Sequence, residues 1–97
     1  MDFKILYTEP ALADLEAVMH WSWEKHPGAS ERFGGSLLSH VDLLKNFPYL
    51  GAPVKGFRGV RRLLHSPVQV YYRVDEGRTR IQILHIRHVA QLFPGSS

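Results

Sequence analysis

The sequence predicts an α+β fold: an N-terminal strand and an antiparallel two-helix hairpin, packed on a mainly antiparallel four-stranded sheet. Three observations predict it. Apolar residues recur at helical spacing between residues 9 and 47, the period changes from 3.6 to 2 after residue 59, and turn residues divide the carboxyl-terminal third into three runs. With 97 residues, 44% hydrophobic and 22% charged, the chain has the size and composition of one domain, 1–97, with a single modest core. Any site must then lie on a face or in a shallow groove.

"FKILY", residues 3–7, reads as the first strand. Thr8 is placed to cap a helix whose first turn holds Glu9 and Pro10, an acid and a ring that both suit that position. Leu12, Leu15, Val18, Met19 and Ser22 then fall on one face, with Trp21 and Trp23 near the end, and Pro27-Gly28 stops the helix by His26. A second helix starts at Ala29 or Ser30, carries Phe33, Leu37, Leu38, Val41, Leu44 and Phe47 as its apolar stripe, and should run to Phe47-Pro48. So short a break makes the pair an antiparallel hairpin. Gly34 and Gly35 inside the second helix each cost about 1 kcal/mol relative to alanine, which predicts close approach of another element or, second to that, a bend.

"YLGAPVKGFRG", residues 49–59, reads as a loop. "VRRLLH" (60–65), "VQVYYRV" (68–74) and "RIQILHIRHV" (80–89) are strands, separated by Ser66-Pro67 and by a turn at Asp75-Glu76-Gly77. Alternation puts Val68, Val70, Tyr72 and Val74 on the face that buries the helices, and Gln69, Tyr71 and Arg73 on a polar, basic face. In the last strand Ile81, Ile83, His85, Arg87 and Val89 share one face and Gln82, Leu84, Ile86 and His88 the other. Polarity rises toward its end, so His85, Arg87 and His88 mark the place where the strand leaves the core and where a binding or catalytic group could sit.

Charge is divided unevenly. Residues 1–48 hold four basic against seven acidic side chains, a net of −3, whereas residues 49–97 hold eight basic against two acidic, a net of +6. Seven of those eight are arginine, whose planar fork suits phosphate and carboxylate, so a polyanion or an acidic protein is the expected partner. The absence of cysteine excludes a disulfide framework, a thiolate zinc site and a cysteine nucleophile. His85 and His88 face apart on a strand and call for no metal, while His20 and Glu24 read as a solvated i,i+4 pair. No motif calls for a cofactor or places a helix-turn-helix. The opening "MDFKILYTEP" is neither a signal peptide nor a membrane span, so a cytoplasmic protein with no membrane partner is expected.

The ordered set "ALADL" (11–15), "FPYLG" (47–51), "GVRRLL" (59–64), "VYYRV" (70–74) and "IQILHIRHV" (81–89) resembles the RelE/ParE superfamily, the toxins of bacterial type II toxin-antitoxin modules, to which plasmid stabilisation proteins of the ParE kind belong. The resemblance covers nearly the whole chain and implies a toxin held inactive by a cognate antitoxin in a hetero-oligomer. It carries two functional readings. RelE-like members cut messenger RNA in the ribosomal A site, the 2′-hydroxyl attacking the adjacent phosphate; ParE-like members poison DNA gyrase and are not known as nucleases. A non-toxic basic binding module is a third reading.

Cleavage requires a proton acceptor, cations for the phosphorane-like transition state and an acid for the leaving oxygen. Lys55, Arg61, Arg73, Arg87 and His88 are the candidates, with His85 as a second histidine. The RelE-like pattern has a lysine-rich stretch before the second strand and a tyrosine near the carboxyl end; here Lys55 stands alone and no tyrosine comes after Tyr72. The resemblance therefore favours the growth-inhibiting, gyrase-directed subgroup. Partner binding is then expected at Arg58, Arg61, Arg62, Tyr71, Arg73, His85, Arg87 and His88, and at Leu92 and Phe93 in the tail. Arg61 and Arg62 point to opposite faces, so one should meet a helix carboxylate such as Asp14 or Glu16. Tyr72 belongs to the core.

Overall fold

A computed structural model describes residues 2–89. Strand β1 (Lys4–Tyr7) leads into helix α1 (Glu9–Lys25), a single 3₁₀ turn at Pro27–Ala29 and helix α2 (Ser30–Asp42). Strands β2 (Ala52–Pro53), β3 (Val60–His65), β4 (Val68–Asp75) and β5 (Arg80–His88) follow. The sheet order is β1-β5-β4-β3-β2, parallel between β1 and β5 and antiparallel elsewhere. Two helices on a mainly antiparallel sheet are as the sequence predicts; the expected loop adds a fifth strand, because Ala52 and Pro53 pair with Arg62 and Arg61.

The β1–α1 junction sets the phase of the first helix. Thr8 Oγ1 lies 3.3 Å from the Ala11 N–H and donates to the Ile83 carbonyl at 2.8 Å, while the Thr8 N–H donates to the same carbonyl. This double tie to β5 turns Ala11 into the core and leaves Leu12 51% exposed, one position from the expected stripe. Leu15 and Val18 pack where expected, and Ser22 is buried. The second helix stops at Asp42 rather than Phe47. A 3₁₀ turn at Leu43–Lys45 tightens the winding, so Leu44 still enters the core but Phe47 is 60% exposed and Leu38 faces solvent. Gly34 justifies its cost, since a Cβ there would lie 2.8 Å from Met19 Cε of α1; Gly35 has open space and no such role.

Leu37, Val41, Leu63, Val70, Tyr72, Ile81, Ile83 and Ile86 fill the space between helices and sheet. The last strand departs from simple alternation. Between Tyr71 and Tyr72 of β4 the register with β5 slips, pairing Tyr71 with His85 but Tyr72 with Ile83, so Leu84 is an extra residue in a β-bulge. Beyond it Ile86 and His88 share the helix-facing side, and His85 and Arg87 the outer side. That outer side is less open than its composition suggests, because Gln69 and Tyr71 are both buried. Gln69 Nε2 donates to the Val89 carbonyl and its Oε1 accepts from Arg62. At the β4–β5 turn the left-handed residue is Thr79, and the Asp75 carboxylate accepts from the Arg78 N–H.

Candidate functional site

The polar end of β5 is organised by one carboxylate from α1. β1 pairs with β5 only through Ile83, so the edge of β5 beyond it has no strand neighbour on that side. Asp14 fills the vacancy: its Oδ2 accepts the Ile86 backbone N–H at 3.0 Å and the His85 Nδ1–H at 2.9 Å, and its Oδ1 lies 3.3 Å from Arg87 Nη1. The side chain is only 13% exposed, which strengthens each contact relative to water. A proton held on Nδ1 by this carboxylate is the arrangement in which a carboxylate orients an imidazole. The 3.4 Å approach of Arg87 Nη2 to the same Nδ1 is then a contact between two donors, not a hydrogen bond. Beside it His88 meets the edge of Trp21, ring centroids 5.7 Å apart, over a groove of about 420 Å³ floored by Ala17, Val18, Val68 and Ile86.

Most of the other basic residues lie toward the opposite end of the sheet, divided between its two faces. Tyr72, whose own position is fully buried, fixes this region by donating from its hydroxyl to the Pro48 carbonyl and accepting the Gly51 N–H, both at 2.8 Å. Burial raises the phenol pKa, against the Gly51 hydrogen bond and the nearby Arg61 charge, which lower it. The clamp holds the 47–51 segment so that Tyr49 presents its ring to Arg61, whose guanidinium carbon lies 5.0 Å from the centroid. Arg61, Tyr49, Pro53, Val54, Phe57 and Arg58 line a groove of about 680 Å³. Lys55 and Arg58 are exposed on the β2–β3 loop, and Arg73 is exposed on the outer face.

Arg61 and Arg62 do occupy opposite faces, paired with Tyr72 and Tyr71 respectively. Neither meets Asp14 or Glu16. Among the described residues no carboxylate pairs with Arg58, Arg61, Arg62 or Arg73, because Asp14 is engaged by Arg87 and His85 at the far end. His20 and Glu24 form the expected exposed pair at 3.0 Å. Of the expected site residues the fold thus brings together His85, Arg87 and His88, with Tyr71 between His85 and Arg62 on the outer face, and separately Arg58 and Arg61; Leu92 and Phe93 lie outside the described residues. Sequence reading missed Asp14 as the organiser, Trp21 as the neighbour of His88 and Tyr49 as the platform for Arg61. Its signal for Asp14 was a polar residue adjoining the apolar stripe of a helix.

Among the described residues no three histidine or acidic side chains group to hold a metal, and no helix is long and apolar enough to cross a membrane. A search of curated proteins finds no match to the chain. Solved structures similar to it include the chromosomal ParDE toxin-antitoxin system from P. aeruginosa, at 27% identity over 89% of this chain and 95% of that one, TM-score 0.75. The toxin-antitoxin complex RelBE2 from Mycobacterium tuberculosis has 21% identity over 91% of this chain and 99% of that one, TM-score 0.69. The isolated RelE toxin of E. coli has 13% identity over 89% and 83%, TM-score 0.64. These last two are likenesses of fold. The model of the ParE toxin of the type II toxin-antitoxin system parDE matches residues 5–93, nearly the whole chain, and the chain belongs to that family.

Proposed function

We propose that the chain inhibits growth by binding DNA gyrase rather than by cutting messenger RNA, and that a co-encoded acidic antitoxin neutralises it. One observation carries the reading: the cations a nuclease would need are dispersed. Arg61 and Arg73 lie on opposite faces of one end of the sheet, since Arg61 pairs with Tyr72 and Arg73 with Val60. Arg87 pairs with Gln69, four residues along β4 from Arg73, a separation of about 13 Å at strand rise. A phosphorane-like transition state needs its partners within hydrogen-bond reach. Dispersed arginines with an exposed groove between Tyr49 and Arg58 suit docking to a protein instead.

The Asp14–His85 pair favours a second reading, in which His85 serves as the base of a ribonuclease with Arg87 beside it. The test separates the two. Purified chain is added to ribosomes programmed with a defined messenger, and in parallel to gyrase acting on supercoiled plasmid. Gyrase inhibition with an intact messenger is the expected result, weakened by Arg61→Ala. Cleavage in the A site, abolished by His85→Ala or Arg87→Ala, would overturn it.

A further inference from the structure

A pair of histidines lies well away from both the Asp14 cluster and the Tyr49–Arg61 groove. His40 stands in the last turn of α2 and His65 ends β3, on the side of the sheet that carries the helices. Their Nδ1 atoms are 2.9 Å apart and their ring centroids 5.1 Å apart. On the far side of the His65 ring, Ser36 Oγ lies 3.3 Å from Nε2, and Phe33 packs against the ring at 5.9 Å. No role in the family reading uses these groups.

We propose that His40 and His65 chelate a divalent transition-metal ion of the zinc, nickel or copper kind, which staples α2 to β3. Two imidazole nitrogens at 2.9 Å share one proton. A metal ion takes the place of that proton. Ligands at about 2.0–2.1 Å in tetrahedral geometry put their nitrogens roughly 3.3 Å apart, so the pair must open by about 0.4 Å while each ring, now nearly head-on to the other with centroids 5.1 Å apart, swings by roughly 35° to aim its lone pair at the ion. Coordination through Nδ1 requires the His65 proton on Nε2, where it donates to Ser36 Oγ; an oxygen acceptor behind a ligating imidazole is what fixes its tautomer and orientation.

One further feature acts in the same direction. His40 sits at the carboxyl end of α2, where the helix dipole favours positive charge. Water supplies the remaining positions, which distinguishes this pair from a closed structural site.

The experiment uses the full chain without a polyhistidine tag, titrated with zinc chloride and separately with copper chloride and magnesium chloride. Imidazole proton resonances and the melting temperature are both read with zinc and magnesium, and affinity alone with copper. Zinc should move the His40 and His65 resonances with one-site saturation below millimolar and raise the melting temperature by several degrees, copper should bind more tightly than zinc, and magnesium should do neither. His40→Gln and His65→Gln should each weaken zinc binding roughly ten-fold or more, Ser36→Ala less, and His20→Gln, at the exposed pair with Glu24, not at all. Saturation centred on other histidines, unchanged affinity in both Gln variants, or no saturation would overturn the proposal. If a Gln variant fails to fold, the resonances of the unaltered chain decide by themselves.

Discussion

Asp14→Ala tests the reading that one carboxylate builds the polar end of β5. The substitution removes three contacts at once: the acceptor for the Ile86 N–H at 3.0 Å, the partner of His85 at 2.9 Å and that of Arg87 at 3.3 Å. A backbone N–H bonded to a charged acceptor contributes about 1.5–3 kcal/mol, and it loses that partner in a site where the acceptor was 13% exposed. Arg87 and His85 keep 28% and 20% exposure, so water can recover part of their loss and they add roughly 1 kcal/mol together. The expected total is about 2.5–4 kcal/mol, a large share of the roughly 5–15 kcal/mol that stabilises a domain of this size. Asp14→Asn keeps an oxygen for the Ile86 N–H and should cost about half as much. The assay is urea unfolding followed by tryptophan fluorescence, with Trp21 close to the site as reporter. A loss under about 0.5 kcal/mol for Asp14→Ala, or equal losses for Ala and Asn, would refute the reasoning.

Three other outcomes are expected. Tyr72→Phe removes one hydroxyl that both donates to Pro48 and accepts from Gly51, leaving two backbone groups to find new partners; it should cost about 1–3 kcal/mol in urea unfolding and, by freeing the 47–51 segment, weaken whatever docks beside Tyr49. Gly51→Ala places a Cβ 2.5 Å from the Arg62 carbonyl oxygen and 2.8 Å from the Tyr72 ring, contacts that only a backbone shift can relieve, so a loss of about 1–3 kcal/mol is expected where Gly35→Ala, with open space, should be neutral or stabilising. His65 has a folded-state pKa below the ordinary histidine value of 6.5, so the folded chain binds this proton less readily than the unfolded one. Its contribution to stability should therefore be complete above about pH 6.5 and be lost as pH falls through the lowered folded value, a slope that His65→Gln should remove from pH-dependent unfolding curves.

Local chemistry is enough to specify most of the elements. Thr8 with Pro10 marks the start of α1, Pro27-Gly28 its end, and alternation the extents of β3 and β4, because caps, ring constraints and side-chain period act within a few residues. The apolar stripes go astray at Leu12 and Phe47, where a tie to β5 and a 3₁₀ turn reset the helical phase, and neither is local to the stripe. The candidate site is legible as a set of residues and not as a geometry. His85, Arg87 and His88 can be recognised as polar groups ending an apolar strand, but the bulge at Leu84 decides which face each takes. Asp14 is 71 residues from His85 in the chain, and only the parallel pairing of β1 with β5, which ends at Ile83, opens the edge that this carboxylate fills. The family and the fold class were thus determined by short-range pattern in the sequence, whereas the convergence of charges at one sheet end and their dispersal at the other were decided by tertiary structure, since long-range pairing alone brings distant charges within a few ångströms.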